Sequence, residues 1–178
     1  MSFIFEKINI DGVYIIHPHK FEDNRGLYEK NLEMQIFKKN GIDFNVTESS
    51  DLYTKKGAIR GLHYQTGKSQ AKLVRVLKGR IFDVIVDLRK ESKTFQDVFT
   101  LILDDKSNFS LYIPKGFAHG FLALEDSIFA YHCDGQYEPN NCGGLRWNDP
   151  KLDIKWPIEE NGITKLIITD KDNNWPLL

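Results

Sequence analysis

Three short segments carry side chains suited to proton chemistry. In Gly57-Ala58-Ile59-Arg60-Gly61-Leu62-His63-Tyr64-Gln65, a fixed cation and a titratable base stand three residues apart across a glycine. Such a pair suits an anionic ligand with a removable proton, because a guanidinium stays charged while an imidazole titrates near neutrality. In Ile113-Pro114-Lys115-Gly116-Phe117-Ala118-His119-Gly120, proline and glycine frame a second histidine. In Ile128-Phe129-Ala130-Tyr131-His132-Cys133, a tyrosine sits inside an apolar run. Each has a plainer reading when taken alone. His63 or His119 reads as a hydrogen-bonded structural imidazole, Tyr131 as a core aromatic with its hydroxyl satisfied, and Lys72 as a solvated charge at a strand edge. His17-Pro18-His19 has the spacing of a metal-binding pair but no Cys or carboxylate cluster nearby, so it reads as solvated surface. Cys142, between two Asn and two Gly, reads as a loop cysteine with no activating cation in sequence reach.

The elements that must position these groups follow a period of two. In Ile81-Phe82-Asp83-Val84-Ile85-Val86-Asp87-Leu88, the residues Phe82, Val84, Val86 and Leu88 share an apolar face, and Asp83, Ile85 and Asp87 a mixed one. Leu73 to Leu77 precedes it across Lys78-Gly79-Arg80, and the two runs read as a hairpin. Further strands are expected over 98–103, 110–113, 120–124 and 128–133, separated by turn clusters such as Asp104-Asp105-Lys106-Ser107-Asn108. One helix is expected over 32–39, capped by Asn31, with Leu32 and Ile36 on one face and Gly41 just past its end. The last third, rich in Asp, Asn, Pro and Trp, is expected to wrap the sheet. No repeat or linker divides the chain, so residues 1–178 read as one mainly-β domain, a sandwich or barrel.

Composition narrows the classes. The chain has 178 residues, of which 41% are hydrophobic, enough apolar surface to offset the ordering entropy that keeps poorer chains unfolded. Twenty-four Lys and Arg against 25 Asp and Glu give a formal net charge of −1, which argues against a general nucleic-acid binder. No apolar run approaches the roughly 18 residues of a membrane span. The opening Met1-Ser2-Phe3-Ile4-Phe5-Glu6 lacks the basic and apolar regions of a secretory leader, so the expected setting is the cytoplasm. Two cysteines, Cys133 and Cys142, make neither a disulfide framework nor a zinc spacing.

Taken together, the segments say more. Arg60-Gly61-Leu62-His63-Tyr64-Gln65, Gln70-Ala71-Lys72-Leu73-Val74, Phe82-Asp83-Val84-Ile85-Val86-Asp87, Pro114-Lys115-Gly116-Phe117-Ala118-His119-Gly120-Phe121 and Trp147-Asn148-Asp149-Pro150 occur in order, with Asp170-Lys171-Asp172 and Pro176-Leu177-Leu178 at the end. This pattern resembles the dTDP-4-dehydrorhamnose 3,5-epimerase family over essentially the whole chain. The resemblance implies a double-stranded β-helix (cupin, or jelly-roll) fold with short helices and a strand-sharing homodimer. It also implies action on a nucleotide-linked 4-keto-6-deoxy sugar without metal or cofactor, as in the conversion of dTDP-4-dehydro-6-deoxy-D-glucose to dTDP-4-dehydro-L-rhamnose.

The implied chemistry suits these residues. A 4-keto group acidifies the hydrogens at C3 and C5, because the electrons left behind delocalise onto O4 as an enolate. Epimerisation then needs a base on one face, an acid on the other and positive charge near O4. In the resemblance His63 is the base, with Asp172 holding its tautomer. Tyr131 is the acid, a phenol that keeps its proton at pH 7. Lys72 stabilises the developing enolate, and His119 and Arg60 complete the sugar-side wall. At the nucleotide end, Arg25 matches a diphosphate-binding arginine with Lys171 similarly placed, and Phe21 and Tyr137 match aromatic positions able to stack on a base. Some of these come from the neighbouring subunit in the family.

The departures cluster at the nucleotide end. The family typically reads Gln-Asp-Asn where Glu48-Ser49-Ser50 stands, and Glu48 is acceptor-only when ionised. Lys30 stands where the family places a glutamate, and Glu29 lies one position early. Cys142 aligns with a further expected Glu. A GDP-, CDP- or UDP-linked sugar, or inversion at C3 or C5 alone, therefore stays open beside the dTDP substrate. Two other classes are a non-catalytic sugar-binding cupin and a metal-dependent cupin. The first has no reason to keep His63, Asp172 and Tyr131 together. The second lacks its usual motif, since Tyr64-Gln65 follows His63.

Overall fold

Among the described residues the chain forms thirteen strands, and their order in space differs from their order in sequence. The computed structural model describes residues 2–67 and 69–178. The strands are β1 (Ile4–Lys7), β2 (Tyr14–His17), β3 (His19–Asp23), β4 (Gly26–Lys30), β5 (Glu48–Thr54), β6 (Ile59–Gln65) and β7 (Ala71–Lys78). They continue with β8 (Arg80–Asp87), β9 (Val98–Asp104), β10 (Ser110–Ile113), β11 (Phe117–Ala123), β12 (Ser127–Asp134) and β13 (Cys142–Gly144). One sheet runs β1-β2-β10-β7-β12-β5, the other β13-β6-β11-β8-β9, and β3 and β4 form a separate two-stranded ribbon. From β5 onward the chain changes sheet at every connection except β8–β9. This alternation winds it into a double-stranded β-helix, the mainly-β jelly roll expected from the sequence.

The expected hairpin at Lys78-Gly79-Arg80 is not one. β7 pairs with β10 and β12, while β8 pairs with β11 and β9, so the glycine turns a corner from one sheet to the other. Gly79 has φ +82°, and a Cβ there would lie 2.7 Å from the Asp126 carbonyl oxygen. Its N–H donates to Asp105 Oδ2 at 2.8 Å. A left-handed glycine serves a sheet corner as well as a hairpin, so a turn signal marks strand ends without choosing partners.

The two faces of β8 separate as their residues require. Phe82, Val84, Val86 and the following Leu88 face outward and pack with Leu145, Leu152, Ile154, Trp156 and Leu178. The last third of the chain does therefore wrap the sheet. The mixed face looks inward, where Ile81 and Ile85 join Val74, Val76, Phe121 and Phe129 in a core drawn from both sheets. Helix α1 (Met34–Lys39) buries Phe37 against the outer side of the first sheet, beside Ile16, Leu73 and Tyr112, with Leu32 and Ile36 packed alongside. Asn31 is not its cap. Glu33 holds that position, and the Asn31 amide instead donates to the Glu29 carbonyl, because β4 runs to Lys30 and the helix starts later than its apolar pattern. Gly41 closes the helix at φ +82°, as expected.

Candidate active site

Strand register brings the chemical side chains into the barrel. On the second sheet His63 of β6 pairs directly with His119 of β11, so both imidazoles point inward. Arg60, three residues before His63, should point the opposite way on a regular strand. It does not, because β6 carries one extra residue here: His63 opposes His119, and Arg60 opposes Phe121. The bulge falls at Gly61, with φ +121°, where a Cβ would lie 2.6 Å from Gly120 Cα. Two facing glycines thus let Arg60 and His63 share one interior face, and both line the same hollow.

Each imidazole has its own carboxylate. His63 Nε2 lies 2.6 Å from Asp172 Oδ1, which leaves Nδ1 for the cavity. Asp172 sits in α2 (Asp170–Asn173), a turn capped by Thr169, and is almost fully buried. Burial pushes its carboxyl pKa up, but hydrogen bonds from His63, the Gly61 N–H and the Trp175 indole outweigh this and hold it below the usual range. His119 Nε2 bonds Asp83 Oδ1 at 2.7 Å, again leaving Nδ1 to the cavity.

The first sheet supplies the opposite wall. Lys72 of β7, Cys133 of β12 and Glu48 of β5 form one inward row, and Val74, Tyr131 and Ser50 form the next. Burial pulls the Lys72 ammonium pKa down, opposed in part by the acidic groups Cys133, Asp83 and Glu48. It pushes the Tyr131 phenol up, relieved in part by a hydrogen bond with Ser50, so the phenol keeps its proton at neutral pH. The Cys133 thiol is driven up to about 11, also by burial. Two hollows of about 180 and 480 Å³ meet at these groups, sharing His63, Lys72, His119, Tyr131 and Lys171. Glu48, Tyr137 and Cys142 edge the smaller one, and a hydrogen bond with Cys142 raises the Tyr137 phenol's pKa. Lys171 also lies with its ammonium 5.3 Å from the Trp175 ring centroid.

Three expected site residues lie elsewhere. Phe21 and Arg25 belong to the β3–β4 ribbon and flank a separate surface hollow with Asp23 and Tyr28. Arg25 is clasped by Asp23, and Phe21 is 59% exposed. Glu29 pairs with Lys20 at 3.3 Å and acts on Arg75, which points out of the barrel. Sequence reasoning in turn gave no role to Asp83 or to Trp175. A carboxylate amid β8's apolar residues was the available signal for Asp83. For Trp175 it was the pair Gly143-Gly144, since a Cβ on Gly144 would lie 2.2 Å from the indole. Among the described residues no three His, Cys, Asp or Glu side chains converge as a metal site would need.

The class is then a cupin-fold protein with imidazoles, a phenol and cations around the barrel's hollows. A family model described as dTDP-4-dehydrorhamnose 3,5-epimerase matches residues 7–178. An enzyme of that name from Methanothermobacter thermautotrophicus is 42% identical over 175 residues, covering 98% of this chain and 94% of that one. A Bacillus anthracis structure of the same name, with TDP and PPi bound, is 36% identical with TM-score 0.92 and covers 99% of both chains. A Legionella pneumophila dTDP-6-deoxy-D-glucose-3,5-epimerase, in complex with dTDP-4-keto-L-rhamnose, is 35% identical with TM-score 0.91, covering 98% and 92%. This chain belongs to the dTDP-4-dehydrorhamnose 3,5-epimerase family.

Proposed function

We propose that the protein inverts C3 and C5 of a nucleotide-linked 4-keto-6-deoxy sugar, converting dTDP-4-dehydro-6-deoxy-D-glucose to dTDP-4-dehydro-L-rhamnose. One observation carries the assignment of roles: His63 and Tyr131 stand on facing sheets and line the same two hollows. A sugar ring between them has a base on one face and an acid on the other. The substrates named for the relatives support the dTDP-sugar.

His63 Nδ1 takes the proton from C3 or C5, and Asp172 stabilises the imidazolium so formed. The electron pair of the broken C–H bond moves onto O4, where the Lys72 ammonium meets charge that exists only as the reaction proceeds. Tyr131 delivers its proton to the opposite face of the same carbon, and solvent restores the phenol and the imidazole. The 4-keto group is its own electron sink, so the proposed reaction uses no cofactor. Arg60 and His119 line the sugar, and Glu48, Ser50, Tyr137 and Lys171 the path toward the nucleotide.

Phe21, Arg25 and Glu29 complete the nucleotide site by serving a partner's cavity. What supports this is their separation from the chain's own cavity and the exposure of Phe21, Leu27 and Tyr28 on the ribbon. The proposed assembly is therefore a homodimer that exchanges the β3–β4 ribbon. Its proposed setting is the cytoplasm; no helix among the described residues is long and apolar enough to cross a membrane.

Incubation with the dTDP-4-keto sugar in D₂O tests the reading by NMR. Deuterium at both C3 and C5 is the expected result. Deuterium at one carbon alone corrects it to a single epimerisation, and none at either overturns catalysis in favour of sugar binding. Repeating the assay with GDP-, CDP- and UDP-linked substrates tests the nucleotide.

A further inference from the structure

The two imidazole–carboxylate pairs are not equivalent. Asp172 has both oxygens engaged, by His63, Gly61 and Trp175. Asp83 has one oxygen on His119, while Oδ2 is buried with no hydrogen-bond partner. Its side chain is 0% exposed, in a strand whose neighbouring inward residues are Ile81 and Ile85. A carboxylate oxygen left bare in such a place is costly unless a cation stands nearby to offset its desolvation.

Lys72, pointing inward from the facing sheet, is a cation on which Asp83 acts electrostatically. The groups that act on it electrostatically are Cys133 of β12, Asp83 of β8, Glu48 of β5 and Cys142 of β13. His119, His63, Tyr131 and Lys171 line the same cavity. Cys133 is a neutral thiol at pH 7, its pKa having been driven up to about 11 by burial, so it gives the ammonium little support there. Of the two carboxylates, Glu48 borders the hollow and accepts the Ser50 hydroxyl at 3.4 Å, whereas Asp83 is locked in the wall.

We propose that Asp83 is a positioning residue for enolisation: its buried carboxylate is the fixed counter-charge that keeps Lys72 an ammonium and holds His119 with Nδ1 toward the sugar. This rests on the epimerase reading and deepens it. Burial alone drives Lys72 toward the neutral amine, which cannot neutralise an enolate. A single buried carboxylate, bonded to His119 and acting on Lys72, keeps positive charge on the O4 side.

The test is Asp83→Asn, which retains an oxygen able to accept the His119 N–H and removes only the charge. KM for the dTDP-4-keto sugar should change little. The alkaline limb of the kcat profile should move to lower pH by about one unit, a tenfold change in the ammonium-to-amine ratio. A wild-type profile, or an equal loss at every pH with the limb in place, overturns the proposal. Should Asp83→Asn not fold, ¹³C NMR of wild-type protein labelled at lysine Cε reads the charge directly, with Lys72→Arg assigning the resonance. An ammonium at Lys72 through pH 8 supports the counter-charge, and a neutral amine at pH 7.5 overturns it. That measurement needs no turnover, so it stands even if the D₂O experiment sinks the epimerase reading.

Discussion

Two Asp-x-Arg clasps in this chain have the same local geometry and different surroundings. In Asp23-Asn24-Arg25 and in Asp87-Leu88-Arg89, the arginine backbone N–H and Nε reach one carboxylate oxygen, and Nη2 reaches the other at 2.7 Å. In the body of the barrel, Asp87 is completely buried and also accepts from the Ser92 and Thr94 hydroxyls. Arg89 continues to the Asp11 carbonyl and lies 4.6 Å from the Phe117 ring centroid. At the tip of the β3–β4 ribbon, Asp23 accepts from Arg25, whose side chain is 83% exposed against 27% for Arg89. The same clasp is structure where every remaining lone pair is used. Where the guanidinium faces water, its free edge can be given to a phosphate. The contrast extends to the two regions: the barrel buries an apolar core drawn from both sheets, and the ribbon holds Phe21, Leu27 and Tyr28 out in solvent.

The largest effect expected from this contrast lies in the barrel. His63→Ala should lower kcat by about 10³-fold, within the range general acid–base groups contribute. It should leave KM and the oligomeric state near wild type and lower the melting temperature modestly, because buried Asp172 loses its shortest bond but keeps those from Gly61 and Trp175. Steady-state kinetics with calorimetry as a folding control checks it. A loss below about tenfold would show that the base lies elsewhere.

The second effect is on stability. Burial acts to raise the Asp87 pKa, but hydrogen bonds from Arg89, Ser92 and Thr94 win and bring it down to about 2. A carboxyl depressed in the folded state stabilises fully above its unfolded pKa and loses that contribution as pH falls through the folded one. The shift from the usual 3.8 is on the order of 2 kcal/mol, present at pH 7 and lost between about pH 4 and pH 2. Asp87→Asn should therefore be less stable at neutral pH by about 2 kcal/mol and show a flatter acid slope over that window. Urea denaturation at pH 7, 4 and 2.5 measures both. Parallel curves for variant and wild type would mean that the clasp does not govern the acid limb.

What the sequence made legible follows the same division. Strand positions could be read where period two is local and clear: 110–113 is a strand to the residue, and those expected over 73–77, 81–88, 98–103, 120–124 and 128–133 differ by a few residues at their ends, whereas β1 to β5 and β13 carried no such signal. Strand partners could not, since Gly79 looks alike in a hairpin and at a sheet corner. His63, Lys72, His119 and Tyr131 could be singled out and do converge, although periodicity alone would have put Arg60 on the wrong face. Only the pairing of Gly61 against Gly120 reveals the bulge that turns it inward. Asp83 stayed without a role because a lone carboxylate in a strand resembles a solvated edge until the opposite wall is known. Phe21 and Arg25 match a nucleotide site by motif, with Glu29 one position off it, but a motif does not say which copy of the chain it serves.

The smallest effect sharpens the comparison at the ribbon. If Arg25 serves a diphosphate in the partner's cavity, it acts far from the atoms that change bonding, and its energy is spent equally on substrate and transition state. Arg25→Ala should then raise KM by about tenfold, one charge-assisted contact's worth, with kcat near wild type. The clasp itself adds little to the fold, since an exposed pair is well screened by solvent. Asp23→Asn should accordingly leave the melting temperature unchanged, in contrast to Asp87→Asn at the matching position in the barrel. Mixing Arg25→Ala with His63→Ala protein gives the decisive readout. If the ribbon is exchanged, a mixed dimer holds one cavity with both lesions and one with neither, so a component with wild-type KM appears on mixing, read at substrate well below the KM of Arg25→Ala. If each ribbon serves its own chain, every cavity keeps one lesion and no wild-type KM component appears.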